Sequence, residues 1–152
     1  MPQLFPGTCT FIAVIPLAVS ASLLLLLDQW TKRMVVTHVG LNRIELGSVL
    51  RIHYVVGRKA SWSWAGTPAV LASIWLIALV CALVLQRSGA WFQSQFAIAA
   101  LGFAFGGSAS NLLDLVRRRH VVDFIDLRWW PVFNLADVAI VGGLVLALWP
   151  RG

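Results

Sequence analysis

Residues 111–137 read NLLDLVRRRHVVDFIDLRWWPVFNLAD. The stretch joins two apolar segments and holds four of the chain's six acidic residues, Asp114, Asp123, Asp126 and Asp137. Asp123 lies just before the second apolar segment, and Asp137 lies in its first turn or two. A carboxylate inside a membrane or at its edge is costly, so by default it marks function. Two of them brought to one membrane face point to an active site.

Composition supports the membrane setting. Of 152 residues, 59% are hydrophobic and only 12% charged, and the mean hydropathy is +0.82. A soluble domain carries roughly 25% charged residues. The expectation is one membrane-embedded domain over residues 1–152, since no room is left for a large soluble part. The net charge of +6 fits anionic lipid headgroups and topology signals, and nucleic acid is not expected as a partner. Cys9 and Cys81 lie in or beside apolar runs and read as inert packing residues.

Outward from the central stretch, four spans are expected. The first covers residues 10–27, with Pro16 as a kink. Its small residues precede leucines rather than a cleavage point, so it reads as uncleaved. It stops at Asp28-Gln29-Trp30-Thr31-Lys32, where Asp28 and Lys32 share a helical face and can pair. Spacing alone favours a solvated helix end there. The other spans are residues 67–85, 92–113 and 132–149, each near the ~20 residues that cross a bilayer. Gly102, Gly106 and Ser110 recur every four residues along the third, a stripe that admits a close neighbour helix and leads to Asp114. Residues 50–55 alternate, with Leu50, Ile52 and Tyr54 on one face. Paired with residues 44–46 through Gly47-Ser48, they predict a two-stranded sheet on the membrane surface. Seven of the eight Trp lie near span ends, as an aromatic belt requires, and only Trp75 is mid-span.

Four spans gather all six acids on one face. Two carboxylates at a partly dehydrated site do not both ionise cheaply and tend to share a proton. One then serves as base toward water while its partner protonates the carbonyl oxygen or leaving group. Asp123 and Asp137 are the candidates, with Asn134 and Asn111 as amides that orient them or hold substrate backbone. Singly, Asp123 reads better as a cap of the fourth helix or a partner of Arg117, Arg118 or Arg119; two Asp and two Asn at one depth favour the site. His38, His53 and His120 show no ligand spacing, so neither metal nor cofactor is expected. No Ser has a plausible base beside it.

At these residues the chain resembles signal peptidase II, the lipoprotein signal peptidase. The resemblance rests on Asp28-Gln-Trp-Thr-Lys32, Gly106-Gly107 with Asn111 and Asp114, Val121-Val122-Asp123-Phe124-Ile125-Asp126, and Phe133-Asn134-Leu135-Ala136-Asp137. It implies an all-α membrane protein of four transmembrane helices with a small extracytoplasmic sheet and an interfacial half-helix, here around Trp62 and Trp64. It also implies an aspartyl endopeptidase that removes prolipoprotein signal peptides on the N-terminal side of a diacylglyceryl-modified cysteine. Asp123 and Asp137 would be the catalytic pair, and Asp28, Lys32, Asn111, Asp114 and Asn134 the supporting set. The implied setting is the bacterial cytoplasmic membrane, with membrane lipids around a monomer and the acidic face outside. That orientation opposes the charge count, because ten Lys/Arg lie on the acid-bearing side and two on the other.

Two features depart from the family. Gly57 and Lys59 stand where its first-loop motif has Asn and Gly. Leu115 stands where an Arg follows the Asp matched by Asp114, and a neutral side chain does not replace a guanidinium. The expectation is that Arg118, or failing it Arg117 or Arg58, takes over beside Asp114. A non-catalytic relative that binds lipopeptide or inhibitor is the alternative. A proton-conducting module fits least, since the acids lie on one side.

Overall fold

The computed structural model describes residues 6–40, 42–56, 68–88, 91, 92 and 94–149, with residues 6–13, 56 and 68 described in backbone alone. Four helices and a small sheet make up the described chain. Helix α1, Pro6–Met34, runs on through Pro16 and passes into a π-helical turn, Val35–Val39, closed by Gly40 at φ +51°. The first span therefore does not end at Asp28. Asp28 and Lys32 are both fully buried, because the third helix supplies their polar partners in place of solvent, and the expected solvated helix end is corrected.

Helix α2, Pro68–Arg87, leaves Ile74, Ile77, Val80 and Val84 exposed, as a helix facing lipid does. It packs on helix α3, Gln95–Arg118, through Trp75. The indole N–H donates to the Phe105 carbonyl at 3.2 Å and Ser108 Oγ at 3.1 Å, and its ring meets Phe105 edge-on. The one mid-span Trp is thus hydrogen-bonded inside the bundle, which an indole donor at that depth requires. Cys81 faces outward rather than packing within the bundle.

Among the described residues, three helices, α1, α2 and α3, are long and apolar enough to cross a membrane. Helix α4, Leu135–Leu148, has 14 residues, about 21 Å at 1.5 Å per residue, against a hydrocarbon thickness of ~30 Å. It starts three residues later than its apolar run because Phe133 pairs with Ile125 and Asn134 is the N-cap.

The small-residue stripe of α3 does what its spacing predicts, and the neighbour is α1. A Cβ on Gly102 would strike Ser20 Oγ, and one on Gly106 the backbone of Ala21. On the opposite side, a Cβ on Gly107 would lie 2.6 Å from the Ala136 carbonyl, and one on Gly143 2.5 Å from that of Ala100. Helix α3 is therefore clamped between α1 and α4 at backbone distance.

The sheet has three antiparallel strands, not two. Their order is β1 (Ile44–Leu46), β2 (Leu50–Val56), β3 (Val122–Asp126). Ile52 and Tyr54 pack with Val35, Val39 and Phe124, so the predicted apolar face of β2 is the inner one. Strand β3 alternates in the same way, turning Val122 and Phe124 inward and leaving Asp123 half-buried on the other face. Asp123 thus stands in a strand rather than at the end of a loop into α4. The half-helix expected around Trp62 and Trp64, and Gly57, Arg58 and Lys59, lie outside the described residues, as does the side chain of Cys9.

Candidate active site

Helix α3 ends where Arg119 adopts φ +64° and its N–H caps Leu115. The chain then turns directly into β3, which carries Asp123 back over the helix ends. Helix α4 begins with a reciprocal cap: Asn134 Oδ1 accepts the Asp137 backbone N–H at 3.0 Å, and Asp137 Oδ2 accepts the Asn134 N–H at 3.1 Å. This satisfies two N–H groups that a helix start leaves open. It also fixes Asp137 in the first turn, at the positive end of the helix dipole. Asp123, by contrast, caps nothing, so the reading of it as the cap of α4 is overturned.

Asn134 and Asn111 link the two carboxylates. Asn134 Nδ2 donates to Asp123 Oδ1 at 2.8 Å and to Asn111 Oδ1 at 3.2 Å. Asn111 Nδ2 donates to Asp137 Oδ1 at 2.9 Å. Each carboxylate receives one side-chain amide N–H, and both Asp123 and Asp137 remain half-buried. Burial pushes the Asp123 carboxyl above the usual carboxylate range, and the nearby Asp137 charge adds to this, while the Asn134 hydrogen bond opposes it.

Beneath the pair lies a fully buried ionic cluster. Lys32 Nζ lies 2.6 Å from Asp28 Oδ2 and 2.9 Å from Asp114 Oδ2, and donates to Asn111 Oδ1 at 2.8 Å. Asp28 also accepts from Ser110 Oγ at 2.7 Å and the Ala136 N–H at 2.9 Å, so it joins α1, α3 and α4. Asp114 further accepts from Gln29 Nε2 at 3.0 Å and more distantly from the Val122 N–H at 3.4 Å. Buried ions persist only when paired and hydrogen-bonded in this way.

The partner that Asp114 lacks at Leu115 is thus chiefly Lys32. Arg118 does turn back toward Asp114, with Nη1 3.5 Å from Oδ1, but that nitrogen makes no hydrogen bond and Arg117 is exposed. Gln29 and Ser110 are polar members of the cluster that sequence reasoning missed. Their signal was their position, one beside Asp28 and the other within the small-residue stripe. His120 meets Tyr54 Oη at 3.1 Å and stands apart from the carboxylates.

The raised Asp123 carboxyl carries a consequence for stability. Its charged form is disfavoured in the folded state, so the folded protein binds the proton more tightly than the unfolded chain does. That contribution to stability is present at acid pH and is lost as pH rises from the unfolded toward the folded pKa. Asp123→Asn, which never ionises, is expected to melt at a higher temperature than wild type at neutral pH. The difference should shrink as pH falls; a lower melting temperature at neutral pH would contradict the assignment of burial as the dominant influence.

A family model described as signal peptidase (SPase) II matches residues 20–150. The lipoprotein signal peptidase of Moorella thermoacetica is 34% identical over 139 residues, which cover 88% of this chain and 91% of that protein. The lipoprotein signal peptidase of Syntrophotalea carbinolica is 32% identical over 147 residues, 87% of this chain and 89% of its own. A bacterial membrane enzyme solved by the in meso method at 1.9 Å resolution superposes with a TM-score of 0.70 at 24% identity, covering 96% of this chain and 94% of that one. This last likeness bears on the fold. With the match running from α1 to the end of α4, the chain belongs to the signal peptidase II family.

Proposed function

We propose that this chain is a membrane aspartyl endopeptidase. It removes the signal peptide of bacterial prolipoproteins on the N-terminal side of the diacylglyceryl-modified cysteine. The observation that carries this reading is the pair of half-buried carboxylates, Asp123 and Asp137, each held by one side-chain amide over a buried ionic cluster. Two N–H donors and the start of α4 suit Asp137 to the anion, and burial disfavours charge on Asp123. Asp137 accordingly takes a proton from water as the water attacks the scissile carbonyl, and Asp123 protonates the carbonyl oxygen. In collapse of the tetrahedral intermediate Asp137 gives its proton to the leaving nitrogen as the C–N bond breaks, and Asp123 takes back the proton from the hydroxyl, which restores the pair.

Asp28, Lys32, Asn111, Asp114, Asn134 and Arg118 support this pair rather than react. The protein works as a monomer among membrane lipids. The decisive experiment presents purified protein in detergent with diacylglyceryl-modified and unmodified precursors. Cleavage of the modified one alone is expected, and retention of it uncut would favour a binding protein that has kept the fold.

The active face lies on the extracytoplasmic side of the bacterial cytoplasmic membrane. A cysteine placed at Ser48 or Arg118 is expected to react with an impermeant thiol reagent from outside the cell, and one at Ser88 is not. The opposite labelling pattern would agree with the charge count and would remove a secreted precursor as the substrate.

A further inference from the structure

Lys32 is fully buried, and the reaction just described does not use it. Its ammonium has three N–H bonds and three partners, Asp28 Oδ2, Asp114 Oδ2 and Asn111 Oδ1. An ammonium offers donors only, so the Asn111 atom that faces it is the oxygen. The amide is planar, and its NH2 is then turned to the far side, where Nδ2 reaches Asp137 Oδ1 at 2.9 Å. The sense of Asn134 is set separately by the cap of α4. Its Oδ1 holds the Asp137 N–H, which turns Nδ2 toward Asp123 and toward the same Asn111 oxygen.

We propose that Lys32 is a positioning residue: by holding the Asn111 carbonyl, it obliges the amide to present N–H, never C=O, to Asp137. A neutral donor such as a hydroxyl or an amide also accepts, and would tolerate the flipped Asn111 with its oxygen against the Asp137 carboxylate. A cation does not. Asp28 and Asp114 neutralise that cation where it is buried, which gives the remote ionic cluster a purpose at the carboxylates. A second consequence concerns substrate. The Asn111 oxygen already accepts from Lys32 and Asn134, so Asn111 does not hold a peptide N–H through that oxygen. The inference rests on Asp123 and Asp137 being the working pair.

The chain contains three asparagines, Asn42, Asn111 and Asn134, and Asn42 is exposed. Protein labelled with 15N in asparagine alone therefore shows three side-chain NH2 pairs, assigned with Asn42→Ser and Asn111→Leu. In wild type the Asn111 pair is expected to be widely split and slow to exchange with solvent. In Lys32→Met the splitting collapses toward that of Asn42 and the protection is lost. Turnover in Lys32→Met falls about 100-fold, the scale of a misplaced reacting group, with KM nearly unchanged. A folded Lys32→Met with the wild-type Asn111 signals overturns the proposal.

Should Lys32→Met not fold, Asn111→Asp decides, because it keeps Lys32 among carboxylates. Its new oxygen facing Asp137 must carry a proton to donate. Activity is then expected to be low at neutral pH and to recover as pH falls; wild-type activity at neutral pH overturns the proposal. Absence of precursor cleavage by wild type would overturn the protease reading instead, and the amide spectra would still decide the role of Lys32.

Discussion

Asp123→Asn and Asp137→Asn are each expected to abolish turnover and to leave folded protein in the membrane. Both replacements keep the shape of the side chain and an acceptor oxygen. An amide at 123 still accepts from Asn134 Nδ2, and one at 137 still accepts the Asn134 N–H in the cap of α4. What disappears is the proton transfer proposed for each, since an amide neither takes a proton from water nor gives one to a carbonyl. Groups acting as a unit are grossly non-additive, so the double variant is expected to be little worse than either single one. The check is the initial rate on a diacylglyceryl-modified precursor, with melting temperature as the control for folding. If either single variant kept more than about a tenth of the wild-type rate, a loss under ~1.4 kcal/mol, that residue would be withdrawn from catalysis.

The other large effect is structural, and its internal control lies one helix away. Gly106→Ala is expected to destabilise the bundle and reduce the yield of folded, active protein. Its Cβ would meet the carbonyl oxygen and Cα of Ala21, which are backbone atoms of α1 and move only if the helix moves. Overpacking of this kind costs about 1–3 kcal/mol and sometimes more. Opening α1 from α3 also stretches the ties of Asp28 and Gln29 to Ser110, so activity should fall further than stability alone explains. Gly142→Ala is the opposite case, because a Cβ there meets nothing within 4 Å. Alanine is the better helix former by about 1 kcal/mol, so this variant should be neutral or more stable. Equal melting temperatures for the two variants would show that the stripe is not a packing seam.

How much of this is legible in the sequence differs from residue to residue. The stripe of Gly102, Gly106 and Ser110 is readable because helical periodicity alone puts those residues on one face, although nothing in the period says that α1 is the neighbour. The inner face of β2 is readable from its alternation. Strand β3 is not, because a five-residue segment containing two Asp resembles a loop when it lies between long apolar helices. Only pairing with β2 makes it a strand. Asp28 and Lys32 are recognisable as a pair by their four-residue spacing. Their burial is not, because spacing says nothing of what lies on the other side. Arg118 is expected beside Asp114 from the same local rule and does turn toward it. Lys32 holds the tighter place because the glycine seam brings α1 within reach of a shorter, fully buried contact.

From the sequence alone came the membrane setting, the helical class and the candidate site residues. Carboxylates and amides are rare in an apolar chain and costly at depth, so those present are conspicuous whatever the fold. The tertiary structure alone decided what each of them touches. It makes Asn134 at once a helix cap and a bridge to Asp123, sets the amide sense of Asn111 through Lys32, and lifts Asp123 onto a strand above the bundle. Hydrogen bonds between residues on different helices have no period along the chain. They follow from helix register and distance of approach, which are settled only when the glycine faces of α3 close on α1 and α4.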